Sequence, residues 1–66
     1  MPELPLAPIE RLIKKAGAER ISEEATVALR DYLEKCAIKI AKNAVEYARH
    51  AGRKTVKVAD IELAIK

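Results

Sequence analysis

Phenylalanine and tryptophan are absent from this 66-residue chain, and its aromatics reduce to Tyr32 and Tyr47. Any core must therefore be built from alanine, valine, isoleucine and leucine. Cysteine occurs once, at Cys36, which excludes a disulfide within the chain. His50 is the only histidine and no Cys/His cluster surrounds it, so the ligand set of a structural metal site is missing. No apolar run approaches the roughly 20 residues that cross a bilayer. The opening MPELPLAPIERL also lacks the basic stretch and apolar block of a secretory leader. A reduced, cytoplasmic setting without membrane attachment is the expectation. A lone core of this size is marginal and is usually supported by disulfides, metal or oligomerisation, and only the last of these remains.

Half of the residues are apolar, and 13 Lys and Arg against ten Asp and Glu give a net charge of +3. So mild an excess makes the location of the charges more informative than their sum. Pro2, Pro5 and Pro8 punctuate the start, where proline suits the first turn of a helix. A short helix is expected to begin between Pro5 and Pro8. Leu6, Ile9, Leu12, Ile13 and Ala16 follow helical spacing, with Glu10, Arg11, Lys14 and Lys15 turned away. Gly17 suits the left-handed position that ends such a helix.

Ser22 reads as the N-cap of a second helix, with Glu23 and Glu24 favourably set against its dipole. No Gly or Pro interrupts the chain again before Gly52, so a single helix from Ser22 to His50, roughly 40 Å long, is expected. Two apolar stripes run along it. One holds Leu29, Leu33, Cys36, Ile40, Ala44 and Ala48; the other holds Ala25, Val27, Ala28, Tyr32, Ala37, Ala41, Val45 and Tyr47. Arg49 and His50 occupy the last turn. Beyond Gly52, a brief extended piece over Lys54-Thr55-Val56 should lead into a third helix from about Val58, with Asp60 in its first turn.

The two connections resemble each other: each reads helix, Ala-Gly stop, basic residue, β-branched residue, helix. Two short helices cannot cover a long rod that is apolar around much of its circumference, and a monomer would leave a large exposed apolar patch. Crossing two long helices, each flanked by the short helices of both chains, would bury the excess. An intertwined all-α dimer is therefore the expected architecture, formed from one domain spanning residues 1–66. Antiparallel pairing would set the first turn of one chain beside the second turn of its partner, bringing Arg20 near Lys54 and Thr55.

The string Gly52-Arg53-Lys54-Thr55 hints at a nucleotide-binding loop but fails the comparison. No upstream glycine lies in range, and a helix rather than a strand precedes it. Cys36 lies on an apolar stripe about four turns from His50, too far for a nucleophile and base, and reads as a small core residue. His50 suits an interface or a helix cap, and Tyr47 either extends that surface or enters the core. Nothing resembles an active site, so no enzyme, cofactor or small-molecule substrate is expected. What remains is phosphate chemistry. Phosphates are held by Arg and Lys, hydroxyls and helix N-termini. Each turn ends at a helix start and carries those types: Arg20 with Ser22, and Arg53 and Lys54 with Thr55. Arg11, Lys14 and Lys15 add charge on the first helix. No helix carries a base-reading cluster, and no exposed aromatic set offers stacking, which favours the backbone of double-stranded DNA.

ELPLAPIERLIKKAGAERIS, a long helix and then ARHAGRKTVKVADIELAIK together resemble the archaeal histones over essentially the whole chain. The resemblance implies the histone fold, a handshake dimer of short, long and short helices that wraps double-stranded DNA. It implies that Arg11 reaches toward the minor groove, that Arg20 is a first-loop DNA contact, and that Lys54 and Thr55 are second-loop contacts. Lys14 becomes a phosphate neighbour. Arg53 and Asp60 match an internal ion pair bracing the second loop. Tyr47, His50, Asp60 and Leu63 match the region where dimers join into larger assemblies, with Tyr47 standing where Leu or Phe is common. Gly17 matches the small residue that lets successive superhelical turns approach. The chain stops at Lys66, where many relatives continue for a few basic residues, so a minimal third helix and no long tail are expected. Eukaryotic relatives combine backbone contacts with arginine insertion where the minor groove faces inward, and that mechanism comes with the resemblance. The expectation is a chromosome-associated, cytoplasmic chromatin protein. It would act as a homodimer or with a paralogue, and in higher assemblies on DNA. The competing reading is a histone-fold interaction module of a transcription complex with little DNA contact.

Overall fold

A computed structural model describes residues 2–66. Three helices follow in order: α1 (Leu6–Lys15), α2 (Glu23–His50) and α3 (Val58–Ile65), with no strand among the described residues. Pro5 precedes α1 with extended backbone (φ −71°, ψ 155°) and offers no side-chain cap. Pro8 falls in the first turn, where its missing N–H is among the donors that lack an intrahelical partner anyway.

Both helix stops are the same device. At the end of α1, Gly17 takes φ +112°, its N–H donates to the Lys14 carbonyl at 2.9 Å, and the Ala18 N–H donates to Ile13 at 3.4 Å. At the end of α2, Gly52 takes φ +73°, its N–H donates to Arg49 at 2.9 Å, and the Arg53 N–H donates to Ala48 at 2.9 Å. This is the Schellman pattern of paired 5→2 and 6→1 bonds, which satisfies carbonyls that the helix leaves open. The repeated Ala-Gly in the sequence thus becomes a repeated turn geometry.

Ser22 caps α2 from outside: its Oγ accepts the Ala25 N–H at 3.1 Å, and its carbonyl takes the Thr26 N–H at 3.2 Å. The 28 residues of α2 extend for roughly 42 Å. The expected extended piece at Lys54–Val56 is instead a bend at Lys54 and Thr55 followed by irregular chain. An unpaired strand has no ladder to hold it, whereas Arg53 Nη1 donates to the Thr55 carbonyl at 2.9 Å and folds the loop back.

Packing divides the chain into two compact units, one ending at Lys35 and the other beginning at Cys36, with α2 contributing to both. In the first, Ile9 and Thr26 are buried; in the second, Ala44, Ala48 and Asp60 are. No large side chain is fully buried among the described residues. Leu12, Tyr32, Ile38, Tyr47, Val58, Leu63 and Ile65 all stand more than two-fifths exposed. The first α2 stripe, from Leu29 to Ala48, is the half-buried to buried one, and most of the second remains open to solvent. One chain therefore lacks the apolar burial on which folded stability normally rests.

Candidate nucleic-acid interface

The two loops carry the basic residues singled out in the sequence. In the first, Arg20 and Ser22 are exposed directly ahead of α2, and Ser22 also spends its hydroxyl on the helix cap. In the second, Lys54 and Thr55 are exposed at the bend ahead of α3. Neither Arg20 nor Lys54 takes part in an ion pair among the described residues, so each presents a free cation to solvent. Arg11 is likewise exposed and unpaired on α1. Lys14 lies 3.9 Å from Glu10, a long contact between exposed side chains that does little to hold it back from another anion.

Arg53 differs from these. Its guanidinium donates to both Asp60 oxygens, Nη1 to Oδ2 at 2.9 Å and Nη2 to Oδ1 at 3.0 Å, while Nη1 also reaches the Thr55 carbonyl. A planar fork matched to a carboxylate is the geometry that arginine supplies and lysine does not. Asp60 Oδ2 also accepts the Lys57 N–H at 2.8 Å, closing the open N-terminus of α3. The Arg53 guanidinium and then the Lys57 amide hold the Asp60 carboxyl down at about 2 against opposing desolvation. The same hydrogen bond to Asp60 raises Arg53 above its ordinary value. Arg53 thus acts first as a brace, leaving Lys54 and Thr55 as the outward groups of this loop.

Asp60 is 2% exposed, and three hydrogen bonds from its own chain occupy its carboxylate. Among the four residues matched to the assembly region, Tyr47, His50 and Leu63 are the exposed ones. Gly17 is exposed, and a β-carbon built there meets nothing within 4 Å. Its positive φ already accounts for the glycine. Cys36 is free and half-buried. Sequence reasoning missed the contacts of Arg30 and Glu34. Their i,i+4 spacing is readable as a pair, but Arg30 also donates to the Leu4 carbonyl and Glu34 accepts the Glu3 N–H, 26 and 31 residues away in sequence.

Residues 2–65 match the family model described as histone-like transcription factor (CBF/NF-Y) and archaeal histone. The chain is 65% identical over 66 residues to one of the subunits of archaeal histone HAN1 from Thermococcus zilligii, covering all of this chain and 98% of that protein. It is 50% identical over the same span to probable archaeal histone 3 of Methanocaldococcus jannaschii, again covering 98% of the relative. Histone H4 of Euplotes crassus is 37% identical over 62 residues, which cover 88% of this chain and 54% of that one.

Proposed function

This chain belongs to the family of histone-like transcription factors and archaeal histones, and from that premise we propose that it is a non-enzymatic chromatin protein. Its dimer, in this reading, wraps and compacts double-stranded DNA with little sequence preference. The observation that carries the reading is the pair of loops, each turning on a Schellman glycine and each presenting an unpaired exposed cation, Arg20 in one and Lys54 in the other. Histone-fold pairing sets the first loop of one chain beside the second loop of its partner, so these cations meet the same stretch of phosphate backbone. Ser22 and Thr55 add hydroxyls at the helix starts. Arg11 reaches for the minor groove and Lys14 for a neighbouring phosphate. Arg53 supports the second loop through Asp60, with direct DNA contact secondary.

The whole chain, 1–66, serves as one histone-fold domain. Tyr47, His50 and Leu63 form the contact through which dimers join, and Asp60 supports it from behind. Gly17 leaves room where successive turns of wrapped DNA and protein come close. The dimer is a homodimer or pairs with a paralogue; the Thermococcus zilligii relative is by name one subunit of an assembly. No helix among the described residues is long and apolar enough to cross a membrane, and the chromosome, in the cytoplasm, is the proposed location.

A gel-shift titration on unrelated duplexes at several salt concentrations tests the reading. Similar affinity across sequences is expected, with log K falling against log salt by about 0.9 for each phosphate neutralised. Absence of binding at low salt sinks it. That absence would favour the competing reading, a module that pairs inside a transcription complex.

A further inference from the structure

The segment ahead of α1 is fastened in a way that the DNA-binding reading does not use. The Glu3 N–H donates to a carboxylate oxygen of Glu34, and Arg30 Nη1 donates to the Leu4 carbonyl at 3.2 Å. These bonds span 31 and 26 residues of sequence. The other side-chain hydrogen bonds among the described residues join positions at most seven apart. Arg30 Nε also lies 2.8 Å from Asp31 and 3.4 Å from Glu34. The Arg30 and Glu34 side chains are only 13% and 16% exposed, against 53% for Asp31. One arginine and one glutamate thus grip consecutive backbone groups of the strap through charge-assisted bonds, and each steadies the other.

The strap leads into a helix that has little else to hold its start. Pro5 supplies no capping side chain, and no acidic residue occupies the first turn of α1. Ten residues are too few for a helix that stands alone in water. Pro2 and Pro5 bracket the gripped residues, and a proline restricts the residue before it to extended backbone. A fixed Leu4 carbonyl therefore passes its position through the rigid Pro5 linkage directly to the first turn of α1. Arg11 rides on that helix, exposed and unpaired.

We propose that Arg30 and Glu34 are positioning residues for DNA binding: by clipping the Glu3–Leu4 strap to α2 they set the start of α1 and hold Arg11 where it meets the double helix. The proposal rests on the DNA-wrapping function and adds to it a pair of residues that need not touch DNA.

Glu34→Ala gives the sharpest test. Removing an acid makes the protein more positive, so a purely electrostatic effect strengthens DNA binding, whereas release of the strap weakens it. In the full-length dimer, with helicity and dimerisation checked by circular dichroism and sedimentation, Glu34→Ala and Arg30→Ala are expected to speed amide exchange at Glu3 and at Ile9 and Glu10, the first α1 amides placed to bond within the helix. Each should weaken duplex binding and lower its salt slope to the same extent as Arg11→Ala. The Arg11→Ala/Arg30→Ala double variant should lose no more than either single one. Arg30→Lys, which keeps one donor for the Leu4 carbonyl, should recover part of the slope. Tighter or unchanged binding by Glu34→Ala overturns the proposal, as does an additive double variant. If the wild type itself fails to bind DNA at low salt, the function proposed above fails and the positioning role falls with it. Wild-type binding beside unaffected variants overturns the positioning role alone.

Discussion

At the scale of single residues, Asp60 and Gly17 show how one position answers to more than one demand. The Asp60 carboxyl is held at about 2 in the folded chain, against an ordinary value of 3.8. A depressed acid stabilises the fold above its unfolded value, and that contribution disappears as pH falls through the folded value. The stability difference between wild type and Asp60→Asn should therefore be widest above about pH 5 and close toward pH 2. Urea unfolding at stepped pH measures it, and a difference independent of pH would show that the ion pair is not what the carboxylate supplies. Gly17 presents the opposite problem, since its backbone conformation calls for a glycine and the superhelix role proposed for it would call for one too. With φ at +112° and open space around it, Gly17→Ala should cost about 1–2 kcal/mol through the backbone alone. A synthetic chain with D-alanine at position 17 separates the two demands. It should recover the stability while still carrying a methyl group, so any remaining loss of DNA compaction belongs to the superhelix.

At the scale of elements, all three helices and both stops were legible in the sequence, because capping residues and glycines act locally. Ser22 announces α2 through chemistry completed within three residues, and its Oγ bond to Ala25 is the expected one. Ser22→Ala should lower stability by about 1 kcal/mol, read as a shift in the urea midpoint without a change in slope. A Ser22→Asp variant, which keeps a capping oxygen, should restore most of it. The conformation of residues 54–57 was not legible, since β-branched Thr55 and Val56 suggest extension while Arg53 bends the loop from outside its own span. Nor was the clip on the strap, which joins residues 26 and 31 positions apart. The pairing of Arg53 with Asp60 came from family resemblance rather than from spacing, because Arg53 lies in the loop and shares no helix with Asp60.

At the scale of the whole molecule, the exposed apolar side chains matter more than any one contact. Ile9, Ala44 and Ala48 are the only buried hydrophobic residues among those described. Folding and pairing of chains should then be one event, and the unfolding temperature should rise with protein concentration, as mass action requires of a dimer without a stable folded monomer. Scanning calorimetry over a hundredfold concentration range decides this; a fixed midpoint would mean that the single chain is stable. The loop cations belong to the same scale, because the interface proposed for them needs two chains. Arg20→Ala and Lys54→Ala should each weaken binding to every duplex alike and reduce the salt slope, with the dimer intact by sedimentation. A variant that binds as wild type does would remove its residue from the interface.

The two Schellman stops also bear on how quickly the protein assembles. Each closes within six residues, and the helices they end are built from bonds between residues four apart, so these parts of the fold need no distant segment to form. Low contact order of this kind lets local structure appear in microseconds to milliseconds. The slow step left is the encounter of two chains. Refolding should therefore follow second-order kinetics, its half-time shortening in proportion as protein concentration is raised.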